Sequence, residues 1–444
     1  MESFHTSKLD VSISHSRKWG AREAGREVAR NVIKKLKSPP SFFLLFSTIH
    51  YEDHGGLKEL LAGVWDILPK GTPLIGGTIA GFVDNEGCFA RGVTALAIAY
   101  PNLDVAVGVG KHTKTNPYRA GKNCAEMLNT KLGKSKFENK IIIDMVSAPT
   151  IPKVPGVERV NVVRSNFFGW FATHFVTRLC GFFGTGLAKE VDVIDELSIH
   201  VKDYNMIGGS AVDTGDMLSN YQFIGNEVYT NAVVALGLNI DTPIFLEGKI
   251  GVHQTDKSFD ITGTACNEYV ITKINNESAT TQFFDLLDIP SEHSKELKQF
   301  YYKTVDYFPI TFEENNERVI GLAGIFGDHL VVSHRLAGKH AKLLSITGEE
   351  AINSIGKLLD DKNSNSFPFV FGFSSAIYPF MMGRKTLDIK DLLDTKLGGT
   401  PYLIVFPMVE NIRYKNKDPS IRVYSTNIFS LSANLGGDGN NLQL

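Results

Sequence analysis

Apolar positions along the chain follow two periods. Ala21, Ala24, Val28, Val32 and Ile33 share one helical face, and Ser38-Pro39-Pro40 ends that helix because proline cannot continue it. The continuous apolar run Phe42 to Phe46, closed by Ser47-Thr48, predicts a buried strand. Leu57, Leu60, Leu61, Val64 and Leu68 return to helical spacing. Strands over Leu74 to Ile79, Val93 to Tyr100 and Val105 to Val109 follow, with a hairpin around Asp84-Asn85-Glu86-Gly87. Ala120, Cys124, Met127 and Leu128 mark a further helix, and Lys140 to Val146 is the strand that opens a second unit.

The second unit repeats the first. Ile75-Gly76-Gly77-Thr78 followed by Gly92-Val93-Thr94-Ala95-Leu96 returns as Ile207-Gly208-Gly209-Ser210 followed by Ala232-Val233-Val234-Ala235-Leu236. Gly110-Lys111-His112-Thr113 is matched by Gly251-Val252-His253-Gln254-Thr255. The second copy carries a longer excursion between its glycine pair and its next apolar run, as expected of duplication with growth in a turn. A site assembled from two such units is expected between them.

Between Ala148 and Ile194 the second unit carries an insertion marked by Pro149, Pro152 and Pro155 and then by Phe167, Phe168, Trp170, Phe171, Phe175, Phe182 and Phe183. It reads either as a helix packed on the second sheet or as a lid or interface. Beyond Asp288-Ile289-Pro290 the pattern changes again. Thr347-Gly348-Glu349-Glu350 is a capping box opening a helix carried inward by Ile352, Ile355 and Leu359. Phe369 to Phe373, Tyr402 to Phe406 and Asn427 to Leu431 are strand-like runs of a buried sheet. The expected architecture is a mixed α/β (α+β) fold of largely antiparallel sheets flanked by helices, with a duplicated N-terminal unit (1–135 and 136–290, the latter holding insertion 149–194), a C-terminal module (291–435) and a disordered tail (436–444).

Composition narrows the function classes. With 46 Lys and Arg against 48 Asp and Glu, the net charge of −2 gives no electrostatic reason to expect nucleic acid or an anionic membrane as partner. The start lacks an apolar core of signal-peptide length, and Phe167 to Ala188 is interrupted by His174, Arg178 and glycines, so a cytoplasmic protein without a membrane span is expected. Cys88, Cys124, Cys180 and Cys266 are scattered without metal-site spacing and are expected to be reduced and buried.

Trp19 through Leu36, the strand ending in Ser47, Ile75 to Thr78, Ile207-Gly208-Gly209-Ser210-Ala211-Val212-Asp213 and Phe223 to Val228 together resemble the FIST domain, a sensory module of microbial signal transduction. The resemblance covers roughly residues 15 to 435, including the family's N-terminal and C-terminal parts. It implies a small-ligand sensor, with amino acids proposed as ligands and haem bound by some members. Toward the C-terminus, Phe373-Ser374-Ser375-Ala376-Ile377-Tyr378 stands where the family tends to show Phe-Ser-Cys-x-x-Arg, and Val409-Glu410-Asn411-Ile412 where it shows Gly-Glu-Ile. The Cys and Arg are absent here, whereas Glu410 is kept.

Candidate chemistry follows from these segments. Paired glycines after a strand can turn consecutive N–H groups toward a carboxylate, so Gly76, Gly77, Gly208 and Gly209 are candidate anion donors, with Thr78, Ser210 and Asp213 at the same rim. An amino-acid ligand also needs a carboxylate for its ammonium, and Asp213 or Glu410 is the candidate. His112 and His253 occupy matching places and are the candidates for a metal or haem; the cofactor is otherwise unassigned. Ser374 or Ser375 in Gly372-Phe373-Ser374-Ser375-Ala376 approximates a nucleophile elbow without its closing glycine. The expected function is a stand-alone, non-enzymatic sensor signalling through a separate partner. The alternatives are a haem-binding gas sensor of the same family and a serine hydrolase-like enzyme.

Overall fold

The computed structural model describes residues 9–150, 162–163, 166–175, 177, 180–215, 217–290, 309–312, 315–336, 338–360, 367–422 and 424–431. The expected tail at 436–444, Pro152, Pro155 and the start of the expected C-terminal module lie outside them.

In chain order the first strands and helices are β1 (Asp10–Ser16), α1 (Ala21–Lys35), β2 (Phe42–Ser47), α2 (Leu57–Trp65), β3 (Leu74–Thr78), β4 (Phe82–Asp84), β5 (Gly87–Phe89) and β6 (Val93–Ala99). There follow β7 (Leu103–Lys111), α3 (Pro117–Leu132), β8 (Asn139–Ser147), β9 (Val162–Val163), α4 (Asn166–His174), α5 (Glu190–His200), β10 (Asn205–Ala211), β11 (Gln222–Ile224), β12 (Glu227–Tyr229) and β13 (Ala232–Ile240). Next come β14 (Ile244–Ile250), β15 (His253–Ala265), β16 (Val270–Ile274), β17 (Glu277–Ser278), α6 (Ala279–Leu286), β18 (Ile310–Phe312), β19 (Asn315–Ile320), β20 (Leu322–Phe326), β21 (His329–Val332) and β22 (His340–Ser345). The chain continues through α7 (Gly348–Asp360), β23 (Val370–Ser374), α8 (Ile377–Met382), α9 (Leu387–Leu397), β24 (Tyr402–Val405), β25 (Glu410–Arg413), β26 (Ser420–Arg422) and β27 (Ser425–Leu431).

Three six-stranded sheets share one plan. Their orders are β1-β6-β2-β3-β11-β12, β7-β13-β8-β10-β25-β26 and β14-β27-β23-β24-β4-β5. In each, two antiparallel neighbours precede a parallel pair (β2/β3, β8/β10, β23/β24), and a hairpin from the following unit completes the sheet antiparallel to it. The fold is therefore three copies of one unit, each lending its hairpin to another in a cycle. The expected duplication is present, but the part after Ile240 is a third copy, too diverged in sequence to show the glycine pair.

The sheets also divide the chain at other places than the expected borders. β7 belongs to the second sheet rather than to the first unit, and β14 opens the third. Residues 253–345 are an insertion into the third unit. They build most of a fourth sheet, β19-β18-β22-β15-β16-β21-β20-β9, around a separate core that includes Phe259, Ile271, Phe283, Ile325 and Leu343.

Alternation along the strands explains the layers. Phe42, Leu44 and Phe46 of β2, Ile141, Ile143 and Met145 of β8, and Phe371 and Phe373 of β23 point into one central core shared by the three sheets. The intervening Phe43 and Leu45 pack outward under α1 and α2. Ile142 and Val146 pack under α3 and α5, and Val370 under α7 and α9. Equivalent main-chain bonds lock the units around the centre: Val212 N–H donates to Thr78 O (3.0 Å), Met408 N–H to Ser210 O (3.0 Å) and Ala80 N–H to Phe406 O (2.9 Å). Thr78, Ser210 and Phe406 are thus corresponding positions.

Candidate ligand site

Of the two glycine pairs, the first reaches the second unit, and the second faces the third. Gly77 lies beside Met145 and Ala211 of the second unit, where a Cβ would stand 3.1 Å and 3.6 Å from their side chains. Their backbone, however, is fully engaged. β3 is flanked by β2 and β11, and β10 by β8 and β25. Thr78 N–H donates to Tyr221 O (2.9 Å) and Ser210 N–H to Val409 O (2.8 Å). The Thr78 and Ser210 hydroxyl oxygens accept from Tyr221 N–H (3.0 Å) and Val409 N–H (3.1 Å). The donors expected to face an anion are committed inside the sheets. Glycine is needed here for close packing: a Cβ on Gly76 would stand 1.7 Å from Leu45 O, on Gly208 2.3 Å from the Asp144 carboxyl, and on Gly209 2.6 Å from Pro407 Cγ.

The two candidate carboxylates are also internal. Asp213 organises its own loop, accepting from the N–H groups of Gly215 (2.9 Å), Met217 (3.0 Å), Leu218 (2.7 Å) and Ser219 (3.3 Å). Glu410, opposite Gly209 on β25, accepts from Ser425 N–H (3.3 Å) and Oγ (3.1 Å) and lies within hydrogen-bonding reach of the Ser375 hydroxyl. Complete burial pushes its pKa well above the carboxylate range, so it is a neutral acid rather than a counter-ion for an ammonium. Asp144 accepts from Asn411 Nδ2 (2.9 Å), leaves its second oxygen unpaired, and is pushed up to about 8 by burial.

The three units differ most where the chain enters β6, β13 and β27. Arg91, Asn231 and Tyr424 are the corresponding residues, as the pairing of Ser47 with Val93, Val146 with Val233 and Ser374 with Thr426 shows. In the second unit the position is satisfied. Asn231 Oδ1 accepts from Thr113 Oγ1 (2.8 Å) and Lys114 N–H (3.0 Å), Thr113 pairs with Ser147 Oγ (2.7 Å), and Lys114 Nζ donates to Thr150 Oγ1 (2.6 Å) and Gly184 O (3.0 Å). In the third unit Tyr424 N–H donates to Ser375 Oγ (3.3 Å), and Tyr378 Oη donates to Tyr424 O (2.6 Å).

The first unit is different. The Arg91 guanidinium stacks over Trp19 at 3.8 Å from the ring centroid, while Nε and Nη2 are shielded from solvent and have no hydrogen-bond acceptor. His50 stands nearby, its Nδ1 held by Thr48 Oγ1 (2.6 Å) and its Nε2 buried without a partner. Burial, and then the Arg91 charge, lowers the His50 pKa to about 4, so the ring is neutral at pH 7. The Tyr51 phenol, pushed up to about 12 by burial, lies within electrostatic reach of both Arg91 and Glu27. Trp19 is 61% exposed, packs against His54 (4.4 Å) and covers Arg91 from the solvent side. Enclosed guanidinium N–H groups without an acceptor are costly, and an anion would satisfy them.

A family model for the FIST N domain matches residues 41–277, just over half of the chain. The protein belongs to the FIST family. The match takes in β2 to β16, with Arg91 and His50, whereas the C-terminal FIST part expected after residue 290 lies outside it. No curated protein matches the sequence. Among solved structures, cyanuric acid hydrolase from A. caulinodans aligns over 96% of this chain and 100% of its own, at 6% identity and a TM-score of 0.33, too distant to carry an argument.

The remaining candidates of this FIST chain do not converge. Lys111, His112 and Arg119 line a groove of about 810 Å³ between β7 and α3, whereas His253 begins β15 and pairs with Glu350 (2.7 Å). Gly251, not His253, corresponds to His112, since both donate their N–H to the residue before the next strand of their sheet, Tyr424 O and Asn231 O. No group of three or more His, Cys, Asp or Glu is placed to hold a metal among the described residues, and no helix there is long and apolar enough to cross a membrane. Ser374 and Ser375 are buried, and Ser374 Oγ pairs with Thr426 Oγ1 (2.8 Å). Cys124 is buried as expected, but Cys88 and Cys266 are only half-buried. Sequence reasoning missed Arg91 and His50. The signal was available in the repeat itself, where a cation in one copy stands against Asn231 in the other.

Proposed function

We propose that this FIST-family protein binds a small carboxylate-bearing ligand of the amino-acid class at the end of its first unit and passes the bound state to a separate signalling protein. The Arg91 guanidinium, with two enclosed N–H groups lacking acceptors, is the observation that carries the reading. A carboxylate would take both in a bidentate pair. Neutral His50 would add a hydrogen bond through Nε2, and Glu27, itself accepting from Ser16 Oγ, would oppose the ligand ammonium. Trp19 would swing aside to admit the ligand and close again over the bound group. The reading favours a binding protein over a serine hydrolase, because Ser374 and Ser375 are buried, Ser374 pairs with Thr426, and the carboxyl beside Ser375, Glu410, is held neutral by burial.

The test is a thermal-shift and calorimetric screen of the full chain against the twenty L-amino acids, acetate and glutarate, with tryptophan emission recorded. At least one of these carboxylates is expected to raise the melting temperature and perturb Trp19 emission, and Arg91→Gln is expected to weaken that binding at least ~30-fold, in keeping with a charge-assisted bond of about 2 kcal/mol. Equal affinity in Arg91→Gln, or no response to any of these compounds, would sink the assignment.

A further inference from the structure

Helix α4 is built inside out. Its small residues face the protein: a Cβ on Gly169 would stand 2.6 Å from Gly327 N, and Thr173 is fully buried with Oγ1 donating to Gly169 O (2.8 Å). Its large residues face water, with Phe167 68%, Phe168 65%, Trp170 50% and Phe171 52% exposed. Phe175, just past the helix, is 42% exposed. The rings are ordered against one another, Phe167 to Phe171 at 5.1 Å, Trp170 to Phe171 at 5.1 Å and Trp170 to His174 at 4.3 Å. The aromatic segment is therefore not ordinary core packing.

We propose that α4 is the contact of a two-fold homodimer, in which two copies of α4 lie antiparallel across the axis. Two observations favour a second copy of this chain as the occupant. At about 200 Å² per aromatic side chain, the exposed rings of α4 with Phe175 present roughly 550 Å² of apolar surface. That lies at the top of the range for the largest patch of a monomer and is about two thirds of the ~800 Å² per partner of a stable interface. The helix also carries different polar groups at its two ends. The exposed Asp328 carboxylate sits at the N-terminal end, accepting from Asn166 Nδ2 (2.6 Å), and the His174 imidazole, whose Nδ1 donates to Trp170 O (3.0 Å), sits at the C-terminal end. Antiparallel packing sets the His174 end of one copy against Asp328 of the other and opposes the two helix dipoles, whereas parallel packing would set like ends together. A membrane surface would gain from the aromatics but would meet the Asp328 carboxylate at the same patch.

Sedimentation equilibrium of the full chain between 1 and 100 μM tests this. The wild type is expected to dimerise, and Phe167→Ser with Phe171→Ser to raise the dissociation constant at least 100-fold with unchanged circular dichroism. His174→Glu alone is expected to weaken association and His174→Glu with Asp328→Lys to restore it, a rescue that reads the antiparallel orientation and does not depend on the serine variant folding. A wild type that is monomeric at 100 μM, a dimer indifferent to both sets of variants, or a monomer that instead binds phosphatidylcholine and phosphatidylglycerol vesicles would overturn the proposal.

Discussion

The turns leading into β6 and β13 are the same place in two copies of one unit, and they are furnished in opposite ways. In the second unit Asn231 is tied to Thr113, Lys114 and, through Thr113, to Ser147. In the first, Arg91 lies on Trp19 with two of its nitrogens lacking an acceptor beside an unpaired His50 nitrogen. A duplicated fold offers equivalent positions that need not do equivalent work. Where every polar group finds a partner within the protein, the position adds stability; where donors are enclosed but unanswered, it does not.

The widest contrast should appear in stability. Asn231→Ala removes an acceptor shared by two donors and leaves them enclosed, so a loss of about 2–3 kcal/mol is expected. Arg91→Ala removes groups that had no acceptor and is expected to cost no more than about 1 kcal/mol, the scale of an exposed cation–π contact. Urea unfolding of both variants measures this, and equal losses would dissolve the distinction between the Arg91 and Asn231 turns.

A second contrast lies one strand further in, where Asp144 of β8 occupies the place that Leu45 holds in β2. Burial raises the folded pKa of Asp144 to about 8 from an ordinary value near 4. A group with a raised folded pKa contributes stability that is complete below its unfolded pKa and is lost as pH rises through about 8. Glu190, also pushed up to about 8 by burial, acts in the same direction. Asp144→Asn should therefore unfold at nearly the wild-type temperature at pH 5 but several degrees above it at pH 8.5. A difference that does not change with pH would mean that Asp144 is ionised in the folded protein.

The smallest effect concerns His50. Its folded pKa of about 4 lies below its unfolded value, so its contribution to stability is present above about 6.5 and is lost as pH falls toward 4. A bound anion favours the protonated ring and raises that pKa, so carboxylate affinity should increase by less than about tenfold between pH 7.5 and 5. Titration calorimetry across this range should show the increase in the wild type and a flat profile in His50→Gln. The reverse slope would place the ligand away from His50.

Much of this architecture could be read from periodicity. The α1 and α2 faces, the β4–β5 hairpin at Asn85-Glu86 and the capping box, with Glu350 N–H donating to Thr347 Oγ1 (3.2 Å), follow from local spacing and turn chemistry. The exchange of hairpins was not legible, because a strand edge does not record which chain segment will pair with it. The third unit was hidden for a related reason. Leu403-Ile404-Val405 replaces the glycine pair of the other copies, and Gly372 on the neighbouring strand takes over the small position that Gly76 and Gly208 hold opposite Leu45 and Asp144. Space was conserved across two strands while the motif on either strand was not. The glycine pairs drew attention to the centre of the molecule, although their requirement is steric and a steric glycine looks the same in sequence as an anion-binding one.

The cyclic loan of hairpins bears on the order in which the protein can be made. Sheet three is completed by β4 and β5, which leave the ribosome some 300 residues before the strands that receive them at 370–374 and 402–405. The first unit in turn waits for β11 and β12, and the second for β25 and β26. The first sheet can be completed once Tyr229 has emerged, whereas the second and third wait for strands in about the last 35 residues of this sequence. The second and third sheets thus keep an unpaired edge longest, until residues 410–422 and Ser425–Leu431 have joined them.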